Sequence, residues 1–129
     1  ILVSVAQNGE QVALLEGHEG IITDLVSMND HFIVSSSQDL TIRVWNLSMS
    51  NCVKVYRVES AVTCLLKLRD DIVATGSQDG SLRIWDLVTE KIVRQKEEAH
   101  NKKGIDRMMK INCSRFVTLG DMTLKHWGI

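Results

Sequence analysis

Few residues in this chain are of types that do chemistry at this spacing. His18, Ser35 and Asp39 are the members of a hydrolytic triad, in which a carboxylate orients an imidazole that draws a proton from a hydroxyl nucleophile. The same types return further along, as His100, Thr118 and Asp121. A set that recurs belongs to a repeated structural unit before it belongs to one catalytic centre, so the expectation is a structural role, no catalytic residue and no enzyme. No Gly-rich phosphate loop, His-x-x-x-His metal pair or nucleophile elbow is found in the sequence, and neither a metal nor a cofactor is expected. Three cysteines, Cys52, Cys64 and Cys113, are an odd number without a C-x-x-C pair. That argues for small buried apolar side chains in a reducing compartment, not for a disulfide framework or a zinc site.

The elements that position these residues must fit into one domain of 129 residues. Fifteen basic and sixteen acidic side chains leave a net charge of −1, so no long-range field favours nucleic acid or an anionic membrane. A hydrophobic share of 44% with 24% charged is a globular composition, and no apolar run approaches the roughly 18 to 20 residues of a membrane helix. The segment Ile1 to Gly9 has no basic lead, no long apolar stretch and no initiator methionine. It is therefore read as mid-protein sequence and not as a targeting peptide, with the cytoplasm as the expected location and the nucleus as the alternative. Proline is absent, where average usage of about 5% predicts roughly six, so the turns are expected to rest on Asp, Asn, Gly and Ser.

The dominant signal is internal repetition. Ser35-Ser36-Ser37-Gln38-Asp39-Leu40-Thr41-Ile42-Arg43-Val44-Trp45-Asn46-Leu47 aligns without a gap on Thr75-Gly76-Ser77-Gln78-Asp79-Gly80-Ser81-Leu82-Arg83-Ile84-Trp85-Asp86-Leu87, and a third copy closes on Asp121 and Trp127 after losing one residue beyond Thr118. All three tryptophans fall at one position of the repeat, six residues after an aspartate. Inside each copy, short runs rich in Val, Ile, Thr and Leu are split by turn residues, which predicts four strands per forty residues. The predicted strands cover 21–27, 31–37, 41–45 and 52–58, then 61–68, 72–77, 81–85 and 91–95. Before them lie 1–5, with Val5 in the tryptophan's place, and 11–16. Apolar residues on both faces, such as Val62, Leu65, Leu66 and Leu68, predict sheets covered on both sides. The charged stretch 94–103 is expected to be a loop, and Met108 and Met109 to be adaptable core.

The Gly17-His18 pair, the small-residue runs leading to Asp39 and Asp79, and the closing Ile-Arg-Val-Trp-Asn and Leu-Arg-Ile-Trp-Asp strands resemble the WD-repeat family of β-propellers. The resemblance implies an all-β fold: a partial propeller of about three blades of four-stranded antiparallel sheet, the third worn. Residues 1–129 would form a single partial propeller, with 1–16 ending a preceding blade, 17–58 and 59–97 forming blades and 98–129 an incomplete one. Thirteen strands do not close a ring of the usual four to eight blades, so a segment of a larger ring is expected, with seven blades as the count in view. The family's buried polar network would be His18, Ser35, Asp39 and Trp45 in the first copy. The second offers Thr75, Asp79 and Trp85 with Val58 in place of the histidine, and the third His100, Thr118, Asp121 and Trp127.

A propeller does not say what it binds. The family's favoured surface, the end that carries the second-to-third-strand turns, maps here to Glu19, Ile21, Gln38, Glu59, Gln78 and Lys102, with Ala61 and Gly104 beside them. Gln38 and Gln78 would offer paired amides to a peptide backbone. Arg43, Arg83 and Lys125 recur once per third strand and are expected to pair with nearby carboxylates. The function implied is a non-catalytic protein–protein interaction scaffold binding proteins or peptides, with no nucleic acid and no membrane as partners, and with the rest of the ring supplied by the same longer chain or by associated chains. The alternative is a substrate receptor of a cullin-type ubiquitin ligase. That route is weakened because Trp85-Asp86-Leu87-Val88 and Trp45-Asn46-Leu47-Ser48 both lack the arginine of a Trp-Asp-x-Arg docking end.

Overall fold

The structure, a computed structural model, describes residues 2–7, 10–97, 99–100, 103–112 and 114–128, and side chains from Leu15 onward. Among them are thirteen strands and no helix, hence none long and apolar enough to cross a membrane. A two-stranded sheet pairs β1 (Leu2–Gln7) with β2 (Glu10–Glu16). A four-stranded meander follows: β3 (Ile22–Ser27), β4 (Phe32–Ser37), β5 (Thr41–Asn46) and β6 (Asn51–Arg57). The next repeats it with β7 (Val62–Arg69), β8 (Ile72–Ser77), β9 (Leu82–Asp86) and β10 (Lys91–Lys96). The last has three strands, β11 (Ile105–Asn112), β12 (Arg115–Gly120) and β13 (Thr123–Gly128). Every pairing is antiparallel between strands consecutive in sequence, which short turns make the least costly topology.

Most strand ends lie within a residue of expectation, and two readings need correction. β10 runs to Lys96, so the charged stretch 94–103 begins inside a strand. The register shift that lies between Val44 and Trp45 in the β5/β6 pair lies between Val5 and Ala6 in the β1/β2 pair. Ala6, not Val5, therefore occupies the tryptophan's place, because two residues separate β1 from β2 in the sequence where four separate β5 from β6.

Three apolar clusters sit between successive sheets. Leu15 of β2 meets Ile33 and Trp45; Met28, Val34, Ile42 and Val44 meet Val62, Leu65, Val73 and Trp85; Leu68, Ala74, Leu82 and Ile84 meet Ile105 and Phe116. The central strands β4 and β8 are buried from their second residue on because both faces are covered. Hydroxyls tie neighbouring inner strands across the sheets: Thr23 Oγ1 donates to the Val62 carbonyl at 2.6 Å, and Thr63 Oγ1 to the Ile105 carbonyl. Asp106 takes the place of these threonines in β11.

Coverage on both sides fails at the last sheet. Leu124 is 71% exposed, where its counterparts Ile42 and Leu82 are 2% and 4% exposed. Ile111 is likewise exposed where Met28 and Leu68 are buried, and Met109, expected in the core, lies on the same open face while Met108 packs inward. Cys64 is buried, and burial pushes its thiol up to about 11, which leaves it an inert apolar filler. Cys52 is only half-buried, contrary to expectation, because β6 is an outer strand with one face in solvent; Cys113 lies outside the described residues.

Candidate functional site

β4, the turn after it, β5 and the segment before β3 bring Ser35, Asp39, Trp45 and His18 together. Trp45 Nε1 donates to Ser35 Oγ at 2.8 Å, Ser35 Oγ lies 2.6 Å from His18 Nε2, and His18 Nδ1 lies 3.0 Å from Asp39 Oδ2. One arrangement of hydrogens satisfies the whole chain: indole N–H to hydroxyl, hydroxyl O–H to Nε2, and Nδ1–H to carboxylate. The imidazole stands edge-on to the indole, with centroids 5.9 Å apart. At Gly17 a Cβ would sit 3.1 Å from the Trp45 ring and 2.7 Å from Arg43 Nη1, the movable end of a flexible side chain, so the segment passes close over the indole. Gly20 likewise lets the loop close on the turn, since a Cβ would lie 2.8 Å from the Asp39 backbone nitrogen.

Asp39 is the hub of its turn. Besides the imidazole it accepts from the Glu19 amide at 3.0 Å, the Thr41 amide at 2.9 Å and Thr41 Oγ1 at 2.5 Å. Burial alone would raise this carboxyl, but the bonds from Thr41, Glu19 and His18 outweigh it and hold the group well below the usual carboxylate range. His18 is held below the ordinary histidine value, since desolvation outweighs its bond to Asp39. The pair at working pH is thus a neutral imidazole donating to a carboxylate.

This arrangement does not suit a nucleophile. Ser35 is fully buried, its hydrogen is directed at the imidazole and its oxygen is taken by the indole, so no face of the hydroxyl is open to a substrate.

The second copy has no imidazole. Trp85 Nε1 donates to Thr75 Oγ1 at 3.0 Å, Asp79 caps its own turn by accepting from the Ser81 amide at 2.9 Å, and the Tyr56 ring packs on Trp85 at 5.5 Å. Val58 joins this apolar cluster. In the third copy Trp127 Nε1 donates to Thr118 Oγ1 at 2.8 Å, and that oxygen lies 2.7 Å from His100 Nε2. The other imidazole nitrogen, Nδ1, is 3.2 Å from Thr123 Oγ1, whose hydroxyl donates to the Gly120 carbonyl at 2.9 Å, while Asp121 pairs with Lys103 at 3.0 Å. Burial foremost, with Lys125 adding to it, keeps His100 below its ordinary value.

The one-residue deletion explains the change. Turns 38–40 and 78–80 have three residues and end in one left-handed residue, Leu40 at φ 66° or Gly80 at φ 83°. The third turn has two residues, Asp121 and Met122, both left-handed at φ 50° and 57°, the dihedrals of a type I′ hairpin. Thr41 and Thr123, two residues beyond the aspartate, are members that sequence reasoning missed. The signal was present as the Thr/Ser at 41, 81 and 123.

The recurring cations do not pair as expected. Lys125 Nζ donates back to the Ala99 carbonyl of the segment before β11 at 2.5 Å, and Arg43 Nη1 to Cys52 Sγ on the next strand, β6, at 3.9 Å; neither of these bonds goes to a carboxylate.

At the turn end, Glu19, Ile21, Gln38, Glu59 and Gln78 are exposed, Gly104 is half-buried, and Ala61 is buried under its loop; Lys102 lies outside the described residues. Backbone bonds hold these loops to the turns, Gln38 N to Ile21 O and Gln78 N to Ala61 O, each at 2.9 Å.

Comparison with known proteins agrees with this geometry. The chain is 40% identical over 58 residues to subunit I of eukaryotic translation initiation factor 3 from Meyerozyma guilliermondii, covering 44% of this chain and 17% of that protein. The same subunit from Caenorhabditis elegans is 35% identical over 48 residues, covering 36% and 15%. The matched stretch thus spans less than a fifth of these relatives. Among solved structures, the WD40 β-propeller domain of Doa1 superposes with a TM-score of 0.84 at 21% identity, over 98% of this chain and 43% of that one. The C-terminal WD40 domain of Sif2 gives 0.85 at 15%, over 99% and 40%. The family model described as WD domain, G-beta repeat matches residues 9–46 and 50–86, more than half of the sequence, and the chain belongs to that WD40 repeat family as a partial β-propeller.

Proposed function

We propose that this chain is a stretch of a longer WD-repeat propeller that serves as a non-catalytic scaffold for protein or peptide partners. Its blades run over 17–58 and 59–97, with the end of a preceding blade over 1–16 and an incomplete one over 98–129. The open face of the last sheet supports the longer ring: Leu124 and Ile111 occupy positions that a following sheet covers in the two earlier copies. The hydrogen-bonded sets around Trp45, Trp85 and Trp127 hold the turns, so that Asp39, Asp79 and Asp121 serve the framework.

The observation that carries the scaffold role is the set of exposed side chains at the turn end, Glu19, Ile21, Gln38, Glu59 and Gln78, on loops clamped by backbone bonds. Such loops present contacts at little entropic cost, because they are already ordered. Lys102 belongs to the same proposed surface. The likeness to a subunit of a multisubunit initiation factor supports an assembly role and a cytoplasmic location; the cullin-ligase reading draws no support from these relatives.

Photo-crosslinking residues placed at Gln38 and Gln78 are expected to capture a partner, whereas the same group at Val93 on the outer strand β10 captures none. Capture from Val93 alone would place the partner on the rim and sink the reading.

A further inference from the structure

A second surface lies at the opposite end of the strands. The β3–β6 and β7–β10 sheets diverge there around an apolar crevice of about 320 Å³, walled by Met28, Phe32, Val44, Val53, Leu87 and Val88. Unlike the open face of the last sheet, it is bounded by two sheets that already touch, so its shape does not depend on what flanks the chain. Val88 is 67% exposed and forms its lip, in a turn held by Asp86 Oδ1, which accepts from the Val88 amide at 2.9 Å. The equivalent turn residue in the preceding copy is Ser48. Val53, on the solvent side of β6, is the facing lip.

The rim supplies the charge. Lys54 is committed: its Nζ donates to the Leu87 carbonyl at 3.1 Å and pairs with Glu90 at 2.5 Å, so it brackets the crevice without leaving a free cation. On the other side stand Asp70 and Asp71. Asp70 has only a loose exposed contact with Lys67 at 3.9 Å, and Asp71 has no ion-pair partner among the described residues. An apolar hole beside two solvated carboxylates complements a bulky apolar side chain next to a cation.

We infer that this crevice docks a linear peptide segment in which an aromatic or large aliphatic residue is followed by Lys or Arg. The apolar side chain fills the space between Met28, Phe32 and Leu87, and the basic residue meets Asp70 and Asp71. The site is separate from the turn end bearing Gln38 and Gln78, and stands or falls independently of it.

The test is a methyl-detected NMR titration of the protein with the peptide Gly-Ser-Phe-Lys-Lys-Ser-Gly. The methyl signals of Met28, Val53, Leu87 and Val88 are expected to shift saturably. Peptides with Ala for Phe, or Glu-Glu for Lys-Lys, should bind about tenfold more weakly. Val88→Asp, an exposed change that leaves the core alone, should weaken binding by a similar factor, and Asp70→Lys with Asp71→Lys should turn the preference toward the Glu-Glu peptide. Gln38→Ala with Gln78→Ala should leave the titration unchanged, which separates this site from the turn-end surface. Equal binding of the Ala peptide, or no shift at these methyls, would overturn the proposal. So would shifts that depend on protein concentration without peptide, which would assign the crevice to a second copy of the chain.

Discussion

The β3–β6 and β7–β10 sheets hold the same indole by different means. Around Trp45 a hydroxyl, an imidazole and a carboxylate run in one hydrogen-bonded chain to the turn; around Trp85 the hydroxyl of Thr75 remains, but the imidazole's place is taken by Val58 and the Tyr56 ring lies against the indole. Both tryptophans are buried and both turns carry an aspartate that caps the residue two positions on. The indole–hydroxyl bond is therefore the common element of the blades. The histidine is one of two ways to fill the space behind it, the other being apolar packing. A buried polar chain with every member satisfied and an apolar patch of similar size are comparable solutions, since net hydrogen-bond gains are small once water is accounted for.

The largest effect follows from that common element. Trp45→Ala removes a fully buried ring and takes from the Ser35 oxygen its indole donor, leaving only the bond to His18, and should cost about 3 to 5 kcal/mol. Trp127→Ala makes the same hydrogen-bond loss on a half-buried ring at the open last sheet, and should cost about half as much. Denaturant unfolding of the two variants measures both. Equal losses would mean that the last sheet is covered in solution by something the described residues do not contain.

Much of this was legible in the sequence, because the repeat aligns copy on copy. Once Asp39, Asp79 and the tryptophans were placed in phase, the four-strand period and the order of the sheets followed from geometry common to all copies. What was not legible is local and non-periodic. The loss of one residue before Asp121 signals a changed turn, but that the new turn would have two left-handed residues, and that Thr123 would stand beside His100 Nδ1, depends on dihedrals the residue types do not dictate. The exposure of Met109 depends on which neighbour covers β11, and pattern alone cannot distinguish a covered apolar face from an open one. The lysine at 125 could have been directed at a carboxylate by charge alone; only the packed distance shows that it reaches the Ala99 carbonyl.

The second effect is a response to acid confined to the copies that contain histidine. His18 and His100 are both held below their ordinary value in the fold by desolvation, so the unfolded chain binds protons first as pH falls. Their contribution to stability is present above the unfolded value of about 6.5 and is lost as pH drops below it. Asp39, depressed by its hydrogen bonds, adds a second loss in the same direction only below about pH 4. Hydrogen exchange at pH 7.5 and 5.5 should therefore show faster opening of β4 and β12 at the lower pH, with β8 changing less. His18→Val, which copies the Val58 solution, should remove the pH dependence of β4. If β8 opened as readily as β4, the histidines would not be its source.

The smallest effect tests the turns. Leu40 and Met122 adopt left-handed dihedrals at φ 66° and 57° that the second copy assigns to Gly80. A bulky residue there carries strain from its Cβ, and neither side chain is buried in return, Met122 being 99% exposed. Leu40→Gly and Met122→Gly should each stabilise by about 0.5 to 1 kcal/mol, the relief of strain exceeding the added entropy of the unfolded chain. Gly80→Leu should cost more than that in the opposite sense, because Gly80 is buried and left-handed. Thermal denaturation of the three variants decides it. A loss on Leu40→Gly would show that the leucine contributes packing against the Val58 segment, whose amide donates to the Leu40 carbonyl at 3.0 Å, and that the first and second copies then differ in their turns as well as behind their tryptophans.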